Sequence, residues 1–154
     1  CAWAASDPLA ARQGISLPAS SGCAARLHVY IGDARRLLPE LAAEERFDAV
    51  FLDPFSPRVE PELWQPAFLA ALARRMAPGS WLSTYSVALG VRAGLAAAGL
   101  RIGAGPRVGT KREGTLASPT QAPPPLSPRT ARRVERRAAS LGSEALGKLA
   151  SPGP

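Results

Sequence analysis

The chain has 154 residues, of which 46% are hydrophobic, and it carries a formal net charge of +7. This length allows one domain with a hydrophobic core, and no apolar run is long enough to span a membrane. The first residues, CAWAASDPLAARQG, lack the basic region and apolar stretch of a secretory signal, so we expect a cytoplasmic protein without membrane contact. Because the chain begins with Cys1 rather than Met, we expect its native start to lie upstream.

The composition argues against a metal site and against a disulfide framework. His28 is the only histidine, and it lies inside the apolar run LHVYI, whereas zinc or iron sites need several N, S or O ligands together. Cys1 and Cys23 show no framework spacing, so we expect two reduced thiols. We therefore predict no bound metal.

The positive charge is concentrated in the last third of the chain. Residues 106–154 hold nine Lys plus Arg against three acidic residues, whereas residues 1–105 hold ten Arg against nine acidic residues. A basic tail suits a polyanion such as RNA, and it is equally typical of a solvated, disordered segment.

The N-terminal third predicts one strand and one helix. Residues 1–25 carry no sustained hydrophobic period, so we expect an irregular N-terminal segment. From Arg26 the run LHVYIGD predicts a strand. Asp33 then caps a helix over ARRLLPELAAEE, which Pro39 kinks or restarts.

The middle of the chain predicts a second strand and helix. The strand, FDAVFLD, is apolar on both faces, as in a parallel sheet that is covered on two sides. After a proline-containing loop, Pro66 fits the first position of a helix. Apolar residues at helical spacing continue to Met76, and the sequence APG at 77–79 ends the helix.

A third strand and helix follow. SWLSTYS predicts the strand, and Ser86 is the expected N-cap of a helix that carries the stripe Val87, Val91 and Leu95 and ends at Gly99. Two shorter strands are predicted over LRIGAG and GTLAS. Strands that alternate with helices of this length predict an α/β sandwich with a mainly parallel sheet.

Beyond Ala117 the composition changes. SPTQAPPPLSPRT predicts an extended linker, and ARRVERRAASLGSEALGKLA has only a thin apolar stripe, so we expect it to be mobile. We therefore divide the chain into an irregular segment (1–25), an α/β domain (26–117) and a proline-rich basic tail (118–154) that we expect to be disordered.

Two aspartates stand where predicted strands end, which in open α/β sheets is where ligands bind. Asp33 follows LHVYIG and Asp53 follows FDAVFL. A helix N-cap alone explains Asp33. Capping explains Asp53 less well, because a proline and an aromatic residue come directly after it.

Four segments, taken in order, carry a resemblance to a known family. They are FDAVFLDPFSPRVEPELW, FLAALARRMAPGSWLSTYS, VRAGLAAAGLRIG and GTKREGTLA. Together they resemble the methyltransferase domain of the bacterial enzymes that complete 5-methylaminomethyl-2-thiouridine at the tRNA wobble position. Those enzymes share an LDGFAP motif, an NPxxW motif, a PGG turn before a strand and a late GxxxKRE motif. The resemblance covers residues 26–117.

The resemblance implies a Rossmann-like class I methyltransferase that uses S-adenosylmethionine and acts on the aminomethyl group of wobble uridine in tRNA. Bifunctional members of the family also carry a flavin oxidoreductase half that has no counterpart here, which makes a separately encoded FAD-dependent oxidoreductase a candidate partner. Carried over by position, Asp33 and Ala34 would lie by the adenine ring of the cofactor. Asp53, Pro54 and Phe55 would form the substrate pocket.

The chemistry of an amine acceptor fits these residues. Asp53 and the Pro54 carbonyl can hold the hydrogens of the amine while its lone pair attacks the methyl group. Phe55 can stack on an unstacked uracil. The resemblance makes Lys111 and Arg112 candidates for phosphate contacts, with Glu113 fixing one of them, although a solvated turn explains both equally well.

The chain departs from the family at two points. The family has Gly where this chain has Pro54, and no glycine-rich ExGxGxG run precedes Arg26. We therefore expect a fold that is incomplete at its N-terminus. It would lack the two strands that, in the sheet of class I methyltransferases, lie between the strands corresponding to LHVYI and FDAVFL. This leaves open whether the chain is an active enzyme, with two alternatives: a non-catalytic fragment that binds RNA through its basic tail, or an enzyme similar to polyamine aminopropyltransferases.

Overall fold

The computed structural model describes residues 13–17, 25–106 and 113–150. The chain forms two compact units, residues 1–43 and residues 44–154. These units do not coincide with the three segments expected from the sequence. Among the helices of the described residues, none is long and apolar enough to cross a membrane.

In the first unit, residues 13–17 and 25–43 form a pair of strands and a short helix. Strands β1 (Gln13–Leu17) and β2 (Ala25–Val29) pair in antiparallel fashion, and helix α1 (Ala34–Glu40) follows. Strand β1 lies inside the segment that was expected to be irregular. Five residues are too few to show a period by themselves, and the strand is defined by its pairing with β2. Helix α1 ends one residue after Pro39, because proline cannot continue the hydrogen-bond ladder.

The described residues of the second unit form four strands, three α-helices and a short 3₁₀ helix. They are β3 (Phe47–Phe51), the 3₁₀ helix (Pro61–Trp64), α2 (Pro66–Arg74), β4 (Met76–Thr84), α3 (Leu89–Ala97), β5 (Arg101–Gly105), β6 (Gly114–Ser118) and α4 (Pro128–Ala150).

The four strands form one sheet in the order β3-β4-β6-β5. Strands β3 and β4 are parallel, whereas β4–β6 and β5–β6 are antiparallel. The expectation of a mainly parallel sheet therefore does not hold for the described strands. Residues 106–113 are too few for the crossover that parallel neighbours need, so β6 returns antiparallel to β5.

The core lies between the sheet and helices α2 and α3. Leu82 of β4, Leu69 of α2 and Leu95 of α3 are each completely buried. Helix α2 starts with Pro66 at its first turn, as predicted, but it ends at Arg74. Met76 instead begins β4, because Pro78 disfavours helical backbone at the residue before it.

Helix α3 starts later than predicted. Its N-cap is Ala88, with no capping side chain, and the Ser86 hydroxyl instead accepts from the Ala88 N–H over 3.4 Å. Val91 is buried on the predicted stripe, but Val87 lies before the helix and is half exposed. Gly99 follows the helix with a φ of +88°, a conformation that favours glycine and ends the helix as expected.

Strand β3 forms an exposed edge of the sheet. Phe51 is 85% exposed, and the only strand that pairs with β3 in the described part of the chain is β4. The sequence predicted burial on both faces. An apolar run shows what a strand can bury, but the neighbouring elements decide whether it is buried.

The proline-rich segment and helix α4 of the basic tail are both packed against other elements of the second unit. The Ala104 N–H of β5 donates to the Pro124 carbonyl over 2.8 Å, and Gly103 leaves no room there for a Cβ, which would meet that oxygen at 2.2 Å. Helix α4 packs on α3 through Val134, which is buried. This differs from the mobile tail expected from the sequence, because the thin apolar stripe of α4 matches the small residues of α3.

Candidate active site

The loop after β3 brings Asp53 to the surface at the carboxyl end of the strand. The Leu52 N–H still donates to the Ser83 carbonyl of β4 over 2.9 Å, and the Leu52 side chain is buried. Asp53 is the next residue and is exposed. None of the hydrogen bonds or ion pairs formed by the described residues involves its carboxylate, so the group is available to a ligand.

Hydrogen bonds from buried or half-buried side chains fix the loop that follows. The Tyr85 hydroxyl donates to the Pro54 carbonyl over 2.8 Å, and the Trp64 indole N–H donates to the Phe55 carbonyl over 2.8 Å. The Phe55 N–H donates to Glu60 Oε2 over 3.3 Å. The backbone is therefore held on three sides, while the Phe55 ring is 73% exposed.

A buried cluster lies at the carboxyl end of β4. Arg92 of α3 is only 4% exposed, and its guanidinium donates to Thr115 Oγ1 (2.9 Å), Glu113 Oε1 (2.6 Å) and the Gly114 carbonyl (2.9 Å). The Thr115 hydroxyl in turn donates to the Ser86 carbonyl over 2.6 Å. This chain of bonds joins α3, the start of β6 and the segment after β4.

The loop and the cluster line a common cavity of about 790 Å³. This volume lies in the range of small-molecule sites. Helix α4 closes one side of the cavity with Thr130 and Arg133. The polar or charged residues of the lining are Ser56, Tyr85, Ser86, Arg92, Glu113, Thr130 and Arg133.

The structure brings some of the predicted site residues together. Asp53, Pro54 and Phe55 follow one another in the turn after β3, where Asp53 and Phe55 are exposed and Pro54 is half-buried. None of the three lines the cavity, which this segment reaches at Ser56 and Pro57. Glu113 pairs with Arg92 over 2.6 Å. Lys111 and Arg112 lie outside the described residues.

Asp33 belongs to the first unit and caps helix α1, as its alternative interpretation predicted. Oδ1 accepts from the Arg35 N–H (2.9 Å) and from Arg35 Nε (3.0 Å), and Oδ2 accepts from Nε (3.1 Å) and from one terminal nitrogen (2.6 Å). The Arg35 side chain, followed by its backbone N–H, lowers the pKa of Asp33 from 3.8 to about 2. Ala34 is the first residue of the helix.

Sequence reasoning missed Arg92 and Tyr85. One signal was present for Arg92, which is the only charged residue between positions 76 and 100. A lone charge within such an apolar stretch is expected to have a partner if it is buried. Nothing in the sequence indicated which distant residues would supply that partner.

The chain was compared with known proteins. Residues 8–120 match a family model described as S-adenosyl-L-methionine-dependent methyltransferase. The chain belongs to this family. Its fold is accordingly the Rossmann-like methyltransferase fold that the sequence predicted.

Among curated proteins, the chain is similar to the tRNA 5-methylaminomethyl-2-thiouridine biosynthesis bifunctional protein MnmC of Pseudomonas paraeruginosa. The two are 40% identical over 148 residues, which are 93% of this chain and 22% of the relative. The protein of the same name from Stutzerimonas stutzeri is 44% identical over 76% of this chain and 18% of its own length. The chain thus spans about a fifth of the length of these relatives.

Among solved structures, the chain is similar to MNMC2 from Aquifex aeolicus. The TM-score is 0.60 at 36% identity, over 68% of this chain and 33% of that one. The family and the fold implied by the four sequence segments are therefore confirmed.

The family is S-adenosylmethionine-dependent, and Asp33 was expected beside the adenine ring of this donor. A carboxylate offers roughly four lone-pair positions, and the four contacts from Arg35 occupy those of Asp33. The cavity is lined by the guanidinium groups of Arg92 and Arg133 and by the carboxylate of Glu113, which pairs with Arg92. Among the described residues, no group of three or more His, Cys, Asp or Glu could hold a metal ion.

Proposed function

We propose that this chain supplies the acceptor side of an S-adenosylmethionine-dependent methyltransferase that modifies tRNA, with the aminomethyl group of wobble uridine as the acceptor. Membership of the methyltransferase family and the names of the relatives support this proposal. The observation that carries it is the turn at residues 53–55, which combines a free carboxylate, a fixed carbonyl and an exposed aromatic ring.

The turn has the chemistry that an amine acceptor requires. Methyl transfer to nitrogen needs a neutral amine with its lone pair aimed at the donor, and the hydrogens of that amine must be held elsewhere. The Asp53 carboxylate can accept one of these hydrogens and can take the proton that is lost after transfer. The Pro54 carbonyl has two lone pairs, of which the Tyr85 hydroxyl occupies one.

Pro54 suits such a site although the family has Gly at this position. Proline has no N–H, so the backbone beside Asp53 offers no donor that would compete with the amine for the carboxylate. The fixed φ of proline also limits the movement of the turn. The departure from the family pattern therefore leaves the acceptor groups of the turn in place.

The Phe55 ring is placed to receive a nucleobase. Its backbone is held by Trp64 and Glu60, so little conformational freedom remains to be lost when a base stacks on the ring. Aromatic side chains commonly stack on unstacked bases of RNA. An exposed phenylalanine next to a free carboxylate fits a flipped uracil whose side arm carries an amine.

The test is methyl transfer from labelled S-adenosylmethionine to tRNA that carries the aminomethyl nucleoside, with the full chain. We expect Asp53→Asn to lower the rate by about 100-fold or more, the usual contribution of a positioned acid or base. The affinity for tRNA should stay the same. Asp48→Asn is the matched control, because Asp48 is exposed on β3, the strand that precedes the Asp53 turn, and the substitution removes the same negative charge.

Equal rates for Asp53→Asn and the unchanged chain would contradict the role of the turn. If the unchanged chain binds tRNA and transfers no methyl group, the proposal falls, and the RNA-binding fragment becomes the better interpretation. The FAD-dependent oxidoreductase partner and the cytoplasmic location remain predictions from the sequence.

A further inference from the structure

The exposed face of helix α4 carries five arginines in a regular pattern. We call them the basic stripe, and they are Arg129, Arg132, Arg133, Arg136 and Arg137, all exposed. Their spacing of three or four residues places them on one face of the helix. Between positions 128 and 143, Glu135 is the only acidic residue.

The opposite face of α4 holds the helix in place. Val134 is 4% exposed, and Ala131, Ala138 and Leu141 are half-buried on the same side. This face packs on α3. The basic stripe is therefore displayed from a docked helix, so its positions are fixed before any ligand arrives.

Within the part of the chain that the structure describes, no ion pair involves an arginine of the stripe. Guanidinium groups without a partner on a fixed helix form a phosphate-binding surface, because each presents a planar fork of donors.

The basic stripe is continuous with the candidate active site. Arg133 lines the cavity that contains Tyr85 and Arg92. Arg137, one turn later, lines a neighbouring cavity of about 860 Å³ between α2, α3 and α4. Arg132 and Arg136 lie further around the helix, away from both cavities.

We propose that the basic stripe binds the sugar–phosphate backbone of the RNA that presents the reacting nucleotide to Asp53. This inference rests on the proposed function for the identity of the RNA. Two phosphate-binding rows follow from the geometry: Arg133 and Arg137 contact the backbone next to the cavity, and Arg132 and Arg136 contact the backbone further along. Such contacts position an RNA without reading its bases.

An anionic membrane surface would also attract five arginines, but the structure favours RNA. A helix that binds a membrane inserts its apolar face between the lipids, and the apolar face of α4 is already packed on α3. The stripe also leads to the site of the proposed RNA chemistry. A membrane surface offers no reason for that placement.

The experiment compares two double variants of the full chain in tRNA binding at several salt concentrations. Arg132→Gln with Arg136→Gln removes the row that is remote from the cavity, and glutamine keeps the helical propensity of the position. We expect this variant to bind tRNA about tenfold more weakly. The slope of log affinity against log salt should fall by about 2, one for each lost phosphate contact.

The matched control is Arg74→Gln with Arg101→Gln. Both residues are exposed and lie on α2 and β5, and the control removes the same two positive charges. We expect unchanged affinity and slope. If both double variants lose the same tRNA affinity, the loss reflects net charge and the stripe has no specific role, so the inference fails. Unchanged tRNA affinity in both variants would also overturn the inference. Circular dichroism verifies that α4 remains helical.

Two further measurements separate the remaining possibilities. If the variant with Arg132→Gln and Arg136→Gln loses binding to phosphatidylserine vesicles and keeps its full affinity for tRNA, the stripe binds a membrane surface and the inference fails. In methyl transfer, the Arg132 and Arg136 variant should raise KM for tRNA and leave kcat unchanged. Because tRNA affinity is measured without methyl transfer, the stripe and the Asp53 turn are tested independently.

Discussion

Two ion pairs of equal length occupy contrasting parts of this molecule. In both, the nitrogen–oxygen distance is 2.6 Å. Arg35 and Asp33 are two positions apart, and their side chains are 49% and 32% exposed. Arg92 and Glu113 are 21 positions apart, and their side chains are 5% and 43% exposed. The distance alone therefore says little about what each pair contributes.

The difference lies in what each pair connects. The Arg35–Asp33 pair joins two residues of the first turn of α1, and the surrounding water screens the attraction between their charges. The Arg92–Glu113 pair joins a helix to a strand, and Arg92 also donates to Thr115 and Gly114. The second pair thus fixes the wall of the candidate active site, whereas the first caps a helix.

Loss of the buried guanidinium should have the largest effect. We expect Arg92→Met to lower the free energy of unfolding of the second unit by about 2–3 kcal/mol, because the Thr115 and Gly114 oxygens lose their buried donor. This loss of stability is smaller than for a fully buried ion pair, because the half-exposed Glu113 carboxylate can be hydrated after Arg92 is removed. Urea denaturation followed by the fluorescence of Trp64 and Trp81 measures the change.

Arg101→Met is the control for that substitution. Arg101 is exposed on β5, and such surface changes usually fall within about 0.5 kcal/mol. If both variants lose the same stability, the buried cluster has no special role, and the contrast between the two ion pairs disappears.

Substitution of Thr115, which is hydrogen-bonded to Arg92, should lower the free energy of unfolding by a smaller amount. Thr115 is completely buried, accepts from Arg92 and donates to the Ser86 carbonyl. Thr115→Val keeps the shape and removes both bonds, so we expect a loss of about 1–2 kcal/mol in the same urea experiment. Thr120→Val removes an exposed hydrogen bond to the Gly79 N–H and should cost much less.

Combining Thr115→Val with Arg92→Met sharpens this comparison. The two residues share one hydrogen bond, so the loss in the double variant should be smaller than the sum of the two single losses. Additive losses would mean that the bonds act independently and that no connected cluster lines the cavity.

The same contrast explains how far the sequence could lead. Local signals placed the start of α2 at Pro66 and located β6, because proline, glycine and alternating apolar residues act within a few positions. The N-cap at Asp33 also depends only on the residues that follow it. These features could be predicted from short stretches of the chain.

Features that depend on distant partners could not be predicted. The burial of Arg92 depends on Glu113 and Thr115, which lie more than 20 positions away. The docking of α4 depends on the small residues of α3, and the exposure of β3 depends on which strands pair with it. In the candidate site, sequence reasoning therefore supplied Asp53 and Phe55, and the structure supplied the Tyr85 and Arg92 contacts that hold the surrounding backbone.

The smallest effect belongs to the exposed pair and appears at low pH. Because the pKa of Asp33 is lowered from 3.8 to about 2, the ionised group stabilises the fold above about pH 4 and loses this contribution as the pH falls towards 2. An NMR titration of the Asp33 carboxyl carbon measures this pKa directly. Arg35→Met should raise it towards 3.8, although the N–H of residue 35 still donates to the carboxylate and keeps part of the shift.

Arg36→Met is the control for this titration, since Arg36 acts on the Asp33 carboxylate only through its charge and has the smallest effect on its pKa. It should raise the pKa much less than Arg35→Met does. Equal shifts from the two variants would mean that the general positive charge of the α1 N-terminus, and not the hydrogen-bonded pair, holds Asp33 ionised. The exposed pair would then differ from the Arg92–Glu113 pair in the kind of interaction as well as in its burial.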